Sequence, residues 1–194
     1  MLLVCSGNIC RSPIAEQVLR AELALYPQFA VSSAGTIARP GMPMPEQASR
    51  MSRLMGGDPS AHRSRRISTT DVAQADLVLG MAREHRGGAV KLLPSASRRT
   101  FALLEFSRLA ASIGEEGLAQ LQGSDPVTRL RDLVSAAASQ RGMVPPPDVP
   151  DDDDVIDPYL KDDAVYEQAV DQMGPALDTI LRVVRSALTP PRFS

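Results

Sequence analysis

Cys5 and Arg11 are separated by five residues in the stretch Cys5-Ser6-Gly7-Asn8-Ile9-Cys10-Arg11-Ser12. A cysteine attacks as its thiolate, and an arginine fork can grip two oxygens of a phosphate. The residues between them supply what such a pair needs. Gly7 and Asn8 permit a tight turn with positive φ. Successive backbone N–H groups running into a helix N-terminus make a concave donor site for an anion. The field that attracts a phosphate dianion also favours a thiolate, so one cradle would bind a substrate and create its nucleophile. Ser12 is placed to donate to that thiolate and to help it leave. A Cys-x5-Arg spacing alone arises by chance. The bland reading is a buried cysteine at a strand end with a surface arginine nearby.

The flanking elements favour the chemical reading. Residues 1 to 5 form a short apolar run of the kind a buried parallel strand shows. Pro13 sits where the first turn of a helix tolerates proline, and Ile14, Val18, Ala21 and Leu25 keep a helical period. Strand, glycine turn and helix therefore follow one another across the first 26 residues. Ala30–Gly35 and Ala75–Gly80 read as further strands, and Val90–Leu93 as a fourth. Helices are expected over Glu46–Met55, within 100–141, and from Asp162 to about Ala187. Alternating strands and helices imply an α/β fold: a single domain over 1–194 with a four-stranded parallel sheet flanked by helices. Ligands bind such sheets beyond the carboxyl ends of the strands, where the Cys5 loop lies between first strand and first helix. Residues 95–150 read as a helical insert with a tail rich in proline and acid. Pro145–Pro147 and Asp151–Asp154 are expected to be loop or solvated linker.

Composition narrows the classes. The chain has 194 residues, 43% hydrophobic and 23% charged, with net charge -2. That balance gives no nucleic-acid signal. No apolar run approaches the roughly 18 residues of a membrane span. Met1-Leu2-Leu3-Val4 lacks the basic region of a signal peptide, so a cytoplasmic location is expected. Two cysteines make no disulfide scaffold, and His62 and His85 are not at zinc-ligand spacing. No metal or cofactor is expected.

Val4-Cys5-Ser6-Gly7-Asn8-Ile9-Cys10-Arg11-Ser12-Pro13 resembles the phosphate-binding loop of the low-molecular-weight protein tyrosine phosphatase family. Ser33-Ala34-Gly35-Thr36, His62-Arg63-Ser64-Arg65-Arg66-Ile67, Asp76-Leu77-Val78-Leu79 and Asp157-Pro158-Tyr159 resemble further motifs of that family, in its order. The resemblance covers the chain except roughly residues 95 to 150. It implies a phosphomonoester hydrolase with Cys5 as nucleophile, a phosphocysteine intermediate, Arg11 as transition-state clamp and Asp157 as general acid. Ser6, Gly7, Asn8, Ile9, Cys10 and Ser12 would bind phosphate, and Asn8, Ser33 and His62 would form a network that holds the loop open. Tyr159 would line the substrate slot. The acids around Asp157 would favour its protonated form by repulsion. The implied substrate is a phosphotyrosine protein or another phosphomonoester, with a tyrosine kinase as counterpart. Cys10 would either form a reversible disulfide with Cys5 or pack beneath the loop. Two departures stand out: the long connection through residues 95–150 to the acid loop, and a slot with few aromatics. Leu160 follows Tyr159, and the loop after Thr36 offers Ile37, Arg39 and Met42 instead of a large aromatic. Arsenate reduction on the same fold and an inactive phosphoprotein-binding module are the rival readings. The first is weakened by the lack of further cysteines, the second by the retention of Cys5, Arg11, Ser12 and Asp157 together.

Overall fold

The computed structural model describes residues 1–188. Its elements in chain order are β1 (Leu2–Cys5), α1 (Arg11–Glu22), β2 (Ser32–Gly35), α2 (Glu46–Leu54), α3 (Thr69–Gln74), β3 (Val78–Gly80), α4 (Arg83–Leu92), β4 (Thr100–Ala102), α5 (Leu103–Ala111), α6 (Gly114–Ala119), α7 (Pro126–Ser139) and α8 (Asp163–Leu188). The sheet is parallel throughout, in the order β2-β1-β3-β4.

Alternation along the strands builds two cores. Leu3, Cys5, Leu79 and Phe101 face the larger one, formed with α1, α2, α5, α7 and α8. Leu2, Val4, Ala34 and Val78 face the smaller one, covered by α3 and α4. A parallel sheet must be covered on both faces, which explains why β1 reads as a continuous apolar run. Burying its four side chains stabilises the fold by several kcal/mol, at roughly 1.5–3 kcal/mol per large aliphatic residue.

Two expectations are corrected. The fourth strand is Thr100–Ala102, and Val90–Leu92 belongs to α4. Three apolar residues around Lys91 are too short a pattern to distinguish a strand from the end of a helix. Gly87 and Gly88 hid the helix further. A Cβ at Gly88 would come within 3.0 Å of Thr36 Cγ2, so glycine here lets α4 pack against the end of β2. The acidic segment is not a solvated linker. Pro150–Asp153 forms a 3-10 turn, and Arg83 pairs with Asp151 and Asp154 while Arg108 pairs with Asp153. Arg83 and Arg108 set two positive charges among the four carboxylates that were expected to press on Asp157.

Residues 103–139 contribute to the main core. Leu130, Leu133, Val134 and Ala137 of α7 are buried against α5 and α8. Arg129 is 6% exposed and donates to the carbonyls of Ala187 and Leu121.

Candidate active site

Cys5 ends β1 and Arg11 begins α1, so the intervening loop lies at the carboxyl edge of the sheet. Its neighbours shape it. Thr36 N donates to Cys5 O at 2.9 Å, Ile37 N to Ser6 O at 3.0 Å, and Met81 N to Val4 O at 2.7 Å. Gly35 must be glycine: a Cβ there would lie 2.9 Å from Asn8 N and would collide with Ser6 O.

Within the loop Asn8 adopts φ 54° and is fully buried. Asparagine tolerates this left-handed geometry because its short amide can hydrogen-bond locally. Asn8 Nδ2 donates to Ser33 Oγ at 2.7 Å and to Ser12 Oγ at 3.0 Å, and Asn8 Oδ1 accepts from Arg65 N at 2.9 Å. His62 Nε2 meets Asn8 O at 2.7 Å. The expected Asn8, Ser33 and His62 thus come together around one residue. Ser33 also donates to Glu16, which Arg20 holds in an ion pair.

The Cys5 sulfur is only slightly exposed. It accepts from Asn8 N at 3.2 Å and lies 3.1 Å from Ser12 Oγ. Among the described residues, the amides of Gly7, Ile9 and Cys10 have no partner. Arg11 is 4% exposed. Its Nη1 donates to Val155 O at 2.9 Å and its Nη2 pairs with Asp157 Oδ2 at 2.8 Å, while its Nε is buried without a partner. Unmet donors are rare in folded proteins because each costs about 1–3 kcal/mol. Arg11 Nε is such a donor, and it lines one cleft with the Cys5 thiol and with Gly7, Ile9 and Cys10, an arrangement that suits an oxyanion.

Asp157 and Tyr159 come from the segment before α8. Val155 N donates to Met81 O at 2.8 Å, and Ile156 N to Gln172 Oε1 at 2.9 Å. Asp154 accepts from Arg83 N at 2.7 Å, so it caps α4, where Ala82 offers no side-chain cap. Tyr159 N closes a turn onto Asp157 Oδ1 at 3.2 Å. The Asp157 carboxylate is half exposed and faces the cleft. That cleft has a volume of about 410 Å³ and is walled by Ile9, Ile37, Arg39, Met42 and Tyr159 above the loop.

Cys10 lies beneath the loop with its sulfur 3.8 Å from Tyr166 Oη, and burial pushes its thiol up to about 12. Both cysteines are free. With both sulfurs reduced, Cys10 packs as a neutral thiol against Tyr166.

Sequence reasoning missed His85, Glu16 and Asp154. His85, on the first turn of α4, is 1% exposed, and its Nε2 lies 2.8 Å from Ser6 Oγ. A lone histidine in a polar stretch carries no local signal for that contact.

Comparison with known proteins agrees with this geometry. The model of the low molecular weight phosphotyrosine protein phosphatase family matches residues 1–126. The chain is 36% identical over 103 residues to the low molecular weight protein-tyrosine-phosphatase Ptp of Acinetobacter johnsonii, covering 53% of this chain and 70% of that one. It is 35% identical over 106 residues to a protein-arginine-phosphatase of Geobacillus stearothermophilus, covering 55% of this chain and 70% of that one. The solved low molecular weight protein tyrosine phosphatase of T. tengcongensis has a TM-score of 0.62 and 27% identity, covering 93% of this chain and 96% of that one. The match runs from β1 to the first residue of α7, and the chain belongs to the low molecular weight phosphotyrosine protein phosphatases, phosphoric monoester hydrolases that work through a cysteine.

Proposed function

We propose that Cys5, Arg11 and Asp157 hydrolyse phosphotyrosine in proteins. The observation that carries the reading is one cleft lined by the Cys5 thiol, by Gly7, Ile9 and Cys10, and by Arg11, whose Nε is unpaired and whose Nη2 holds Asp157. The Cys5 thiolate attacks phosphorus in line, and the bond from phosphorus to the phenolic oxygen breaks. Asp157, as the acid, gives its proton to that leaving oxygen. Arg11 Nε and the free amides of Gly7, Ile9 and Cys10 hold the equatorial oxygens, where charge is stabilised without reorganisation. In the second step Asp157 takes a proton from water, and the water oxygen attacks the phosphocysteine. The sulfur–phosphorus bond breaks, and Ser12 donates to the departing thiolate. Ser6, Ile9 and Cys10 belong to the cradle, and Asn8, Ser33 and His62 hold its shape.

Asp157 lies beyond the residues matched by the family model, so its role rests on the Arg11 pair and the cleft. Ile9, Ile37, Met42 and Tyr159 offer apolar walls to a phenyl ring, which favours an aryl phosphate. A tyrosine kinase is the natural counterpart, and the cytoplasm the natural site of action. No helix among the described residues is long and apolar enough to cross a membrane. Residues 1–194 act as one domain in this reading, and the 95–150 region supplies β4, α5 and α7 to its core.

The test is hydrolysis of p-nitrophenyl phosphate, a phosphotyrosine peptide and a phosphoarginine peptide against pH, with chelator present. Cys5→Ser should abolish turnover. Asp157→Asn should slow the phosphotyrosine peptide about 10²- to 10⁴-fold. Faster turnover of phosphoarginine, or arsenate reduction without phosphatase activity, refutes the substrate assignment.

A further inference from the structure

Ser6 lines the cleft, and its backbone carbonyl is fixed by Ile37 N at 3.0 Å. Its hydroxyl has one partner, His85 Nε2 at 2.8 Å. The same Nε2 lies 3.3 Å from Glu84 Oε1. A carboxylate only accepts, so a proton on Nε2 satisfies both contacts. The other nitrogen, Nδ1, is buried and has no partner. A bare lone pair left there costs less than a stranded N–H, which again places the proton on Nε2. Burial and the nearby Arg11 lower His85 to about 4, so the ring is neutral at working pH.

This tautomer fixes the serine. Ser6 Oγ accepts from His85, and its own O–H must then point elsewhere. No acceptor for it exists among the described residues, and the open side is the cleft.

We propose that the Ser6 hydroxyl is a side-chain donor to a phosphoryl oxygen of the bound substrate, and that buried His85 is the positioning residue that turns it into the cleft. The inference rests on the phosphatase reading of the same loop. It adds to the backbone amides a donor that the chain must orient from α4, across the sheet from α1. Gly80 makes that approach feasible, since a Cβ there would stand 2.7 Å from Arg86 N and 3.1 Å from His85 Cβ.

Inorganic phosphate is the probe, titrated by calorimetry into wild type, Ser6→Ala, His85→Gln, His85→Asn and the double variant Ser6→Ala/His85→Asn. Melting curves and kcat and KM for p-nitrophenyl phosphate are recorded alongside. A lost hydrogen bond to a charged oxygen corresponds to roughly ten- to a hundredfold. Ser6→Ala should weaken phosphate binding by that factor and lower kcat/KM in parallel. His85→Asn, too short to reach Ser6, should cost the same. His85→Gln, whose amide nitrogen can stand near Nε2, should bind phosphate within about threefold of wild type. The double variant should be no worse than either single one. Wild-type affinity in Ser6→Ala overturns the proposal, as does independent loss in the double variant or equal loss in His85→Gln and His85→Asn. Phosphate binding weakened by Ser6→Ala in a protein without turnover sinks the phosphatase reading and keeps this one. Turnover with unchanged binding in Ser6→Ala does the reverse. A wild type that binds no phosphate ends both.

Discussion

Replacing Asn8 separates two demands placed on one residue. The left-handed backbone at φ 54° is one demand, and the three side-chain hydrogen bonds to Ser12, Ser33 and Arg65 are the other. Asn8→Ala fails both. Each lost bond costs about 1 kcal/mol net, and an alanine in that conformation adds about 1–2 kcal/mol. The sum is about 4–5 kcal/mol, a large share of the roughly 5–15 kcal/mol that holds a domain folded. Asn8→Gly loses the same bonds without the steric strain, although glycine frees the unfolded chain by about 0.4–1 kcal/mol. Glycine should therefore cost less than alanine by about 0.5–1 kcal/mol. Urea unfolding followed by circular dichroism measures both variants, and p-nitrophenyl phosphate turnover reads the loop. Activity should fall in both, because Ser12 and the Asn8 amide are what the Cys5 sulfur leans on. The reasoning is refuted if alanine costs less than glycine, or if either change costs under about 1 kcal/mol, the worth of one hydrogen bond.

Three further outcomes are expected. Gly35→Ala should drive the Ser6–Asn8 backbone outward and reduce kcat by roughly 10²-fold, the effect of misplacing reacting groups by about 1 Å; turnover near wild type would show that the loop yields freely. Asp154→Ala removes the cap on Arg83 N and one anchor of the acid, and should lower phosphotyrosine turnover by about tenfold while leaving phosphate binding intact; weakened phosphate binding would argue against it. His85 is lowered to about 4 by burial and by Arg11, against an ordinary 6.5, with Asp154 and Asp157 opposing the shift. Its unfolded form binds the proton first, so its contribution is complete above about 6.5 and is lost as pH falls towards 4, at about 1.4 kcal/mol per unit and about 3 kcal/mol in all. In His85→Gln the slope of stability between pH 6.5 and about 4 should flatten; an unchanged slope refutes the buried neutral ring.

What the sequence disclosed follows the range of the interactions. Cys5, Asn8, Arg11 and Ser12 sit within eight residues, so strand, turn and helix signals placed them locally. Asp157 was found by a motif, although its partner Arg11 is 146 residues away (157 − 11). The short strands were harder. β3 and β4 have three residues each, too few for a period, and β4 was read as part of a helix. His85 was invisible because its meaning lies in a contact with Ser6, 79 residues distant. The acidic run misled because composition reports charge and not pairing. Arg83 and Arg108 turn Asp151, Asp153 and Asp154 into fasteners.

Those fasteners bear on how the enzyme keeps time. The stretch ahead of Asp157 is tied to Met81, Arg83, Arg108 and Gln172, and Asp157 itself rests on Arg11. A segment fastened at this many points is expected to hold Asp157 over the loop and not to open and close as the lids that pace many enzymes do. On the proposed mechanism the pacing falls to chemistry at phosphorus: a better leaving group speeds only the formation of the phosphocysteine, and a burst of released phenol ahead of an unchanged steady-state rate is the expected mark of slower hydrolysis in the second step.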